Sequence, residues 1–211
     1  MTDIESQVKP RKQPTQARSR KRVQKVLTAT RLLLRDQGLN SVTTSKIAKQ
    51  AGIPVGSVYQ YYPNKKAILV ALYSDYLAKI REVFDLYEGE PLLSMEWQEF
   101  FENLLQSLIA AEEQGDIIPE LVQSTKIYPE LKEIENKHTK VVNRKFLAFF
   151  RHFGFTGSDA KLIRLSSFLY LLNEGSWIYR SEYKSAQHHK EAANWETAAA
   201  LGLLNHYREN S

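Results

Sequence analysis

Apolar residues recur at spacings of three and four along most of this chain, which is the period of a helix, and no strand pattern competes with it. A first stretch, Arg18 to Gln37, carries Val23, Val26, Leu27, Leu33 and Leu34 on one face and is expected to stop at Gly38. A short helix is expected to start at Thr43-Thr44, where a hydroxyl can accept from a free backbone N–H, and to end at Gly52. Ile47, Ala48 and Ala51 are its apolar face. A second short helix, Val55 to Tyr61, follows Pro54, which has no N–H to lose at a helix start. Val58 and Tyr62, four apart, should point inward, and Pro63 should end the run. Asn64 can then cap a long helix reaching Tyr87, with Ile68, Leu69, Leu72, Tyr73, Tyr76, Ile80, Val83 and Phe84 at helical spacing. After Gly89 and Pro91, helices are expected near 95–114, 117–126, 130–153, 159–184 and 191–208. The pattern predicts an all-α protein: three N-terminal helices with a helix-turn-helix, then a larger helical domain.

Two short helices joined at a glycine turn are common in all-α proteins, so shape alone does not name a partner. Charge sharpens the picture. Residues 1–66 hold 14 Lys and Arg against 3 Asp and Glu, whereas 67–211 hold 15 against 21. A basic third attached to an acidic remainder implies a polyanion that binds one end only. If Val58 and Tyr62 face inward, then Val55, Gly56, Ser57, Tyr59, Gln60 and Tyr61 are left on outer or flanking faces. Hydroxyls, an amide and lysines are the groups that hold phosphates and read base edges in a major groove.

The same residues carry a resemblance. Over 18–77 the chain resembles the TetR/AcrR family of bacterial transcriptional regulators: the Arg18-to-Gln37 helix, Gly38, Thr43-Thr44, Ala48, Ala51-Gly52, and the run Gly56-Ser57-Val58-Tyr59-Gln60-Tyr61-Tyr62-Pro63-Asn64-Lys65. Two departures are mild: Pro54 stands where the family often has a hydroxyl cap, and Tyr62 replaces a frequent Phe. The resemblance implies that Thr43, Thr44, Tyr61 and Lys65 hold phosphates, with Ser45, Lys46, Val55, Gly56, Ser57, Tyr59 and Gln60 near base edges. It also implies that the helix from Asn64 links a DNA-binding domain, 18–66, to an effector-binding and dimerisation domain, 67–211. Residues 1–17, with Lys9, Arg11 and Lys12, form a polar arm that is either a flexible tail or a minor-groove contact.

The C-terminal region is rich in aromatics. Trp97, Phe100, Phe101, Tyr128, Phe146, Phe150 and Phe168 are the candidate lining of an effector pocket, and plain core packing is the competing reading for each. Glu112, Gln123, Asn143 and Asn173 are possible polar anchors, although Glu112 and its neighbour Glu113 are expected to be solvated. Leucines nearly encircle the helix around 162–172, so burial against one side is not enough. Leu165, Phe168, Leu169, Leu172, Trp177, Trp195, Ala199 and Gly202 are therefore the candidate dimer interface, which the resemblance casts as a four-helix bundle.

Enzyme chemistry finds little support. The chain has no cysteine, and its five histidines include no His-x-x-x-His pair, so no metal site, cofactor or thiol nucleophile is expected. No nucleophile elbow or phosphate-cradling glycine loop occurs. No signal-peptide core and no apolar run of the ~18 residues that span a bilayer is present, so a cytoplasmic location is expected. The combined expectation is a homodimeric repressor released from a palindromic operator by an apolar or aromatic small molecule. Its rivals are a DNA-binding protein governed by a protein partner and a helical binding protein that never meets DNA.

Overall fold

The first helix of the chain, α1, spans Ala17–Ser41 and breaks at Gly38, where its end was expected. Gly38 takes φ 72 and ψ 168, a conformation closed to other residues, so the expected end is a kink followed by a final short stretch of helix. The computed structural model describes residues 17–114, 119–183 and 185–210. Apart from Ala17, the N-terminal arm lies outside these residues, as do Gly115 and the expected helix start at 117. Among the described residues every regular element is helical. They comprise α1, α2 (Thr44–Ala51), α3 (Val55–Tyr61), α4 (Lys65–Leu86), α5 (Glu90–Ser94), α6 (Trp97–Gln114), α7 (Pro119–Gln123), a 3-10 turn (Ser124–Lys126), α8 (Pro129–His152), α9 (Asp159–Glu182) and α10 (Ala186–Glu209).

The chain divides into two compact units. The described part of the first unit is 17–77 with 119–136, and that of the second is 78–114 with 137–183 and 185–210; the boundaries at 77/78 and 136/137 fall inside helices α4 and α8. The first unit's core is built from Val26, Leu33 and Leu34 of α1, Ile47 and Ala48 of α2, Val58 of α3, and Ile68, Leu69 and Leu72 of α4. At full burial each such aliphatic side chain contributes about 1.5–3 kcal/mol. Leu121 and Leu131 complete this core, so the helix-turn-helix is braced by a segment far along the sequence. Lys66 pairs with Glu130, and the Tyr73 hydroxyl donates to Glu135 at 3.0 Å. None of that brace was expected.

The second unit is built around interlocking rings. Phe84 meets Phe146 at 5.3 Å between ring centroids, Phe100 meets Phe149 at 5.0 Å, and Phe150 meets Phe155 at 5.1 Å. The first two are edge-to-face pairs, a geometry that adds to simple area burial. Three local features differ from expectation. Pro91 sits in the first turn of the unanticipated α5 rather than marking a plain loop. The stretch expected as one helix over 117–126 is a single α turn that tightens into 3-10. α10 begins at Ala186, five residues before its expected start, because the Ser185 hydroxyl accepts from the His188 N–H at 3.1 Å.

Candidate functional site

The turn between α2 and α3 is fixed by backbone hydrogen bonds that the sequence calls for. The Thr43 side chain accepts from the Lys46 N–H at 3.2 Å and caps α2. At the other end Gly52, with φ 64, lets its own N–H reach Lys49 O at 3.2 Å while the Ile53 N–H reaches Ala48 O at 3.1 Å. This paired closure needs a left-handed residue, and glycine adopts that conformation without a Cβ penalty. Pro54 starts α3 with φ −60 and without a side-chain cap. Asn64 then accepts from the Ala67 N–H at 2.9 Å and opens α4.

This frame presents one polar face. Thr43, Ser45, Lys46, Gly56 and Gln60 are exposed, Val55 and Tyr59 expose 42% and 41% of their surface, and Thr44, Ser57 and Lys65 are half-buried. The hydroxyls of Thr44 and Tyr59 are 2.9 Å apart, so the start of α2 is tied to the outer face of α3. Lys46 Nζ donates to Gln37 at 3.0 Å, and Lys65 Nζ donates to the Leu39 carbonyl at 3.1 Å. An ammonium has three protons, so each lysine keeps donors for a phosphate. Tyr61 is a correction. Expected on an outer face, it exposes only 4% and packs in the core. The reason is periodicity: Tyr61 follows the inward Val58 by three residues and Tyr62 follows it by four, so both share its face. Burial, and next the charge of Asp75, push the Tyr62 phenol up to about 12, so it stays neutral.

The second unit holds a small cavity of about 30 Å³, lined by Ile80 and Phe84 of α4, Leu105, Leu108 and Glu112 of α6, His138, Val142 and Phe146 of α8, and Leu169, Tyr170 and Asn173 of α9. Of the seven aromatics expected to line a pocket, only Phe146 lines this one. Trp97, Phe100, Phe101 and Phe150 instead pack against other rings of the core. Tyr128 packs against the core of the first unit, and Phe168 exposes 58% of its surface. These aromatics carry too much apolar area to be left lining a space with few atoms to touch, so they fill the core themselves.

Glu112 is buried, contrary to the expected solvation, because Arg180 lies behind it. Arg180 Nη2 donates to Glu112 at 2.6 Å, while its Nη1 donates to Glu196 and to Ser176 at 2.7 Å each. Asn173 Nδ2 donates to the other Glu196 oxygen at 2.8 Å. Burial pushes the Glu112 carboxyl up to about 8, outweighing the opposing pull of Arg180. His138 is held down at about 4 by burial and then by the Arg81 guanidinium, which donates to its Nδ1 at 3.3 Å. Arg180, Glu196 and His138 escaped the sequence reading. A lone charge in an amphipathic helix looks solvated until its distant partner is known.

Between α9 and α10 an open groove is lined by Leu171, Leu172, Gly175, Ser176, Tyr179, Ala192, Trp195, Glu196 and Ala199. Phe168, Leu171 and Trp195 are exposed beside or within it, and Gly202 is exposed on α10. Leu172 and Trp177 are half-buried. Leu165 and Leu169, expected at an interface, face the chain's own core instead. The leucine-rich helix thus has two apolar sides, and the unit covers one of them.

Residues 26–72 match the family model described as bacterial regulatory proteins, tetR family. An uncharacterised HTH-type transcriptional regulator of Haemophilus influenzae is 27% identical over 115 residues, 53% of this chain and 58% of that protein. The fatty acid metabolism regulator protein of Bacillus subtilis is 32% identical over 63 residues, 30% of this chain and 32% of that protein. The chain therefore matches less than two thirds of the length of these relatives. Among solved structures, a TetR transcription regulator from Haloarcula marismortui superposes with TM-score 0.68 at 17% identity, covering 90% of this chain and 97% of the other. The fatty acid degradation regulator FadR of Bacillus halodurans superposes with TM-score 0.67 at 17% identity over the same shares. At such identities these two show the fold, an all-α helix-turn-helix domain with a C-terminal helical domain.

Proposed function

We propose that the chain, whose residues 26–72 match the tetR-family model, is a dimeric transcriptional repressor working in the cytoplasm. The observation that carries the reading is the polar face of Thr43, Ser45, Lys46, Tyr59 and Gln60, held by a capped α2 and a Gly52 turn on the basic end of the chain. In this reading Tyr59 and Gln60 meet base edges, while Thr43 and the free donors of Lys46 and Lys65 meet phosphates. Tyr61 supports α3 from within. The uncovered apolar side of α9 and α10, with Phe168, Leu171 and Trp195, supports a dimer built on these two helices. Two copies then bind a near-palindromic site with half-sites roughly 34–36 Å apart or a multiple of that.

The effector is an apolar small molecule received by the second unit, and α4 and α8, which belong to both units, carry the response. The names of the two fatty-acid regulators support an apolar effector in general terms. A cavity of about 30 Å³ holds little more than a water, so the ligand enters only if the side chains around it move. That small size also favours a second reading, control by a protein partner. Electrophoretic mobility with the DNA upstream of the chain's own gene tests the DNA-binding core of the proposal, and sedimentation at micromolar concentration tests the dimer. No shift with any such DNA, or a stable monomer, would remove the corresponding part. Mass spectrometry of molecules released on denaturation separates the two effector readings.

A further inference from the structure

We propose that the second unit, by parting the side chains around its small cavity, accepts an organic cation with an apolar body, its charge paired with the Glu112 carboxylate. The inference rests on reading that unit as a small-molecule receptor. One guanidinium, Arg180, stands against two buried carboxyl groups, Glu112 and Glu196. Glu196 has Arg180 on one oxygen and Asn173 on the other, and Glu112 has Arg180, with Asn173 also lending it a hydrogen bond. Glu112 is the carboxyl that also lines the cavity, amid Phe84, Leu105, Leu108 and Phe146. A second cation is what this arrangement lacks, and apolar walls suit a hydrocarbon body. An anionic ligand would instead bring a third carboxylate or its equivalent beside the two already there.

The remaining groups around the cavity allow this. From α8, His138 is a neutral ring, since an arginine can only donate and Arg81 of α4 donates to its Nδ1. From α9 come Tyr170 and Asn173, both uncharged, and from α10 Glu196 is tied to this lining through Arg180 and Asn173, its charge pushing the Glu112 carboxyl further up. With its carboxyl pushed up to about 8, Glu112 holds a proton at neutral pH. A bound cation displaces that proton to solvent: one positive charge enters, one leaves, and the buried cluster stays neutral. His138, held at about 4, does not titrate over the same range. Cation binding should therefore tighten by about tenfold per pH unit below 8 and level off above it.

The test is calorimetric titration of the full chain with three probes of one chain length: octyltrimethylammonium, octanol and octanoate, at pH 6, 7 and 8. At pH 8 the ammonium is expected to bind at least about tenfold tighter than octanol, with octanoate weakest, and at pH 6 to bind more weakly while releasing about one proton per ligand. The E112Q variant is expected to lose the cation's advantage over octanol while still binding octanol. If that variant does not fold, the ranking and pH profile of the parent decide. Tighter binding of octanoate or octanol overturns the cation assignment and leaves the receptor reading standing. Binding of none of the three, by a preparation that still shifts its DNA, overturns both.

Discussion

The two units place their polar chemistry on opposite sides of their surfaces. The first keeps an apolar core and displays Thr43, Lys46, Tyr59 and Gln60 outward, where a large partner can reach them. The second buries Glu112, His138, Arg180 and Glu196 among leucines and aromatic rings and leaves apolar residues such as Phe168 and Trp195 exposed. A polyanion as long as DNA can be met only at a surface, and its contacts can be screened by salt without harm to the fold. A buried ion cluster is costly to assemble, answers to one charge or one proton, and couples directly to stability. On the proposed function, the contrast separates a surface that reads from an interior that responds.

The strongest way to break this contrast is to remove the buried cation. Arg180→Met leaves two buried carboxyl groups without their partner and is expected to destabilise the second unit by about 3–5 kcal/mol, read by chemical denaturation. Loss under about 1 kcal/mol would mean that the cluster is hydrated and unimportant.

Titration of the same cluster gives a smaller effect with a definite sign. Glu112 is raised from an ordinary 4.5 to about 8, so the folded state binds the extra proton and stability falls as pH rises between those values. His138 is lowered from 6.5 to about 4, so its contribution rises with pH over that lower window and is lost as pH falls through it. The two oppose each other up to pH 6.5. From 6.5 to 8 only Glu112 acts, and stability should fall by roughly 1.4 kcal/mol per pH unit. Glu112→Gln should abolish that slope, as thermal melts across the range would show. A parent protein with a flat profile would contradict the buried, protonated carboxyl.

The first unit should respond more mildly because its parts are local. Thr43→Ala removes the cap on α2 and is expected to cost about 1 kcal/mol of stability, measured by the same denaturation. Lys65→Ala should weaken binding to all DNA sequences about equally and lower the salt slope by about one, as a phosphate contact does. If binding fell for one sequence only, Lys65 would be a reader rather than a holder.

That locality is also why the first unit was legible in the sequence and the second was not. Thr43, Gly52, Pro54 and Asn64 act on partners within five residues, so their types announce their roles. Tyr61 failed because only the four-residue step from Val58 was weighed, and the three-residue step faces the same way. Glu112 failed for a different reason: its partner Arg180 lies 68 residues away. Leu121 and Leu131 likewise join the first core from far along the chain. The aromatic residues were rightly seen to be numerous, but number alone does not tell a wall from a filling, and the space that remained fell beside Phe146.

The most direct measurement is fluorescence anisotropy of the parent, Tyr59→Ala and Gln60→Ala on an upstream near-palindromic DNA and on a scrambled duplex of equal length, at a fixed salt concentration. The parent should prefer the palindrome, and each variant should lose about 1–3 kcal/mol of that preference while its binding to scrambled DNA is unchanged. If both variants discriminate between the two duplexes as the parent does, the outward face of α3 is not the reading surface.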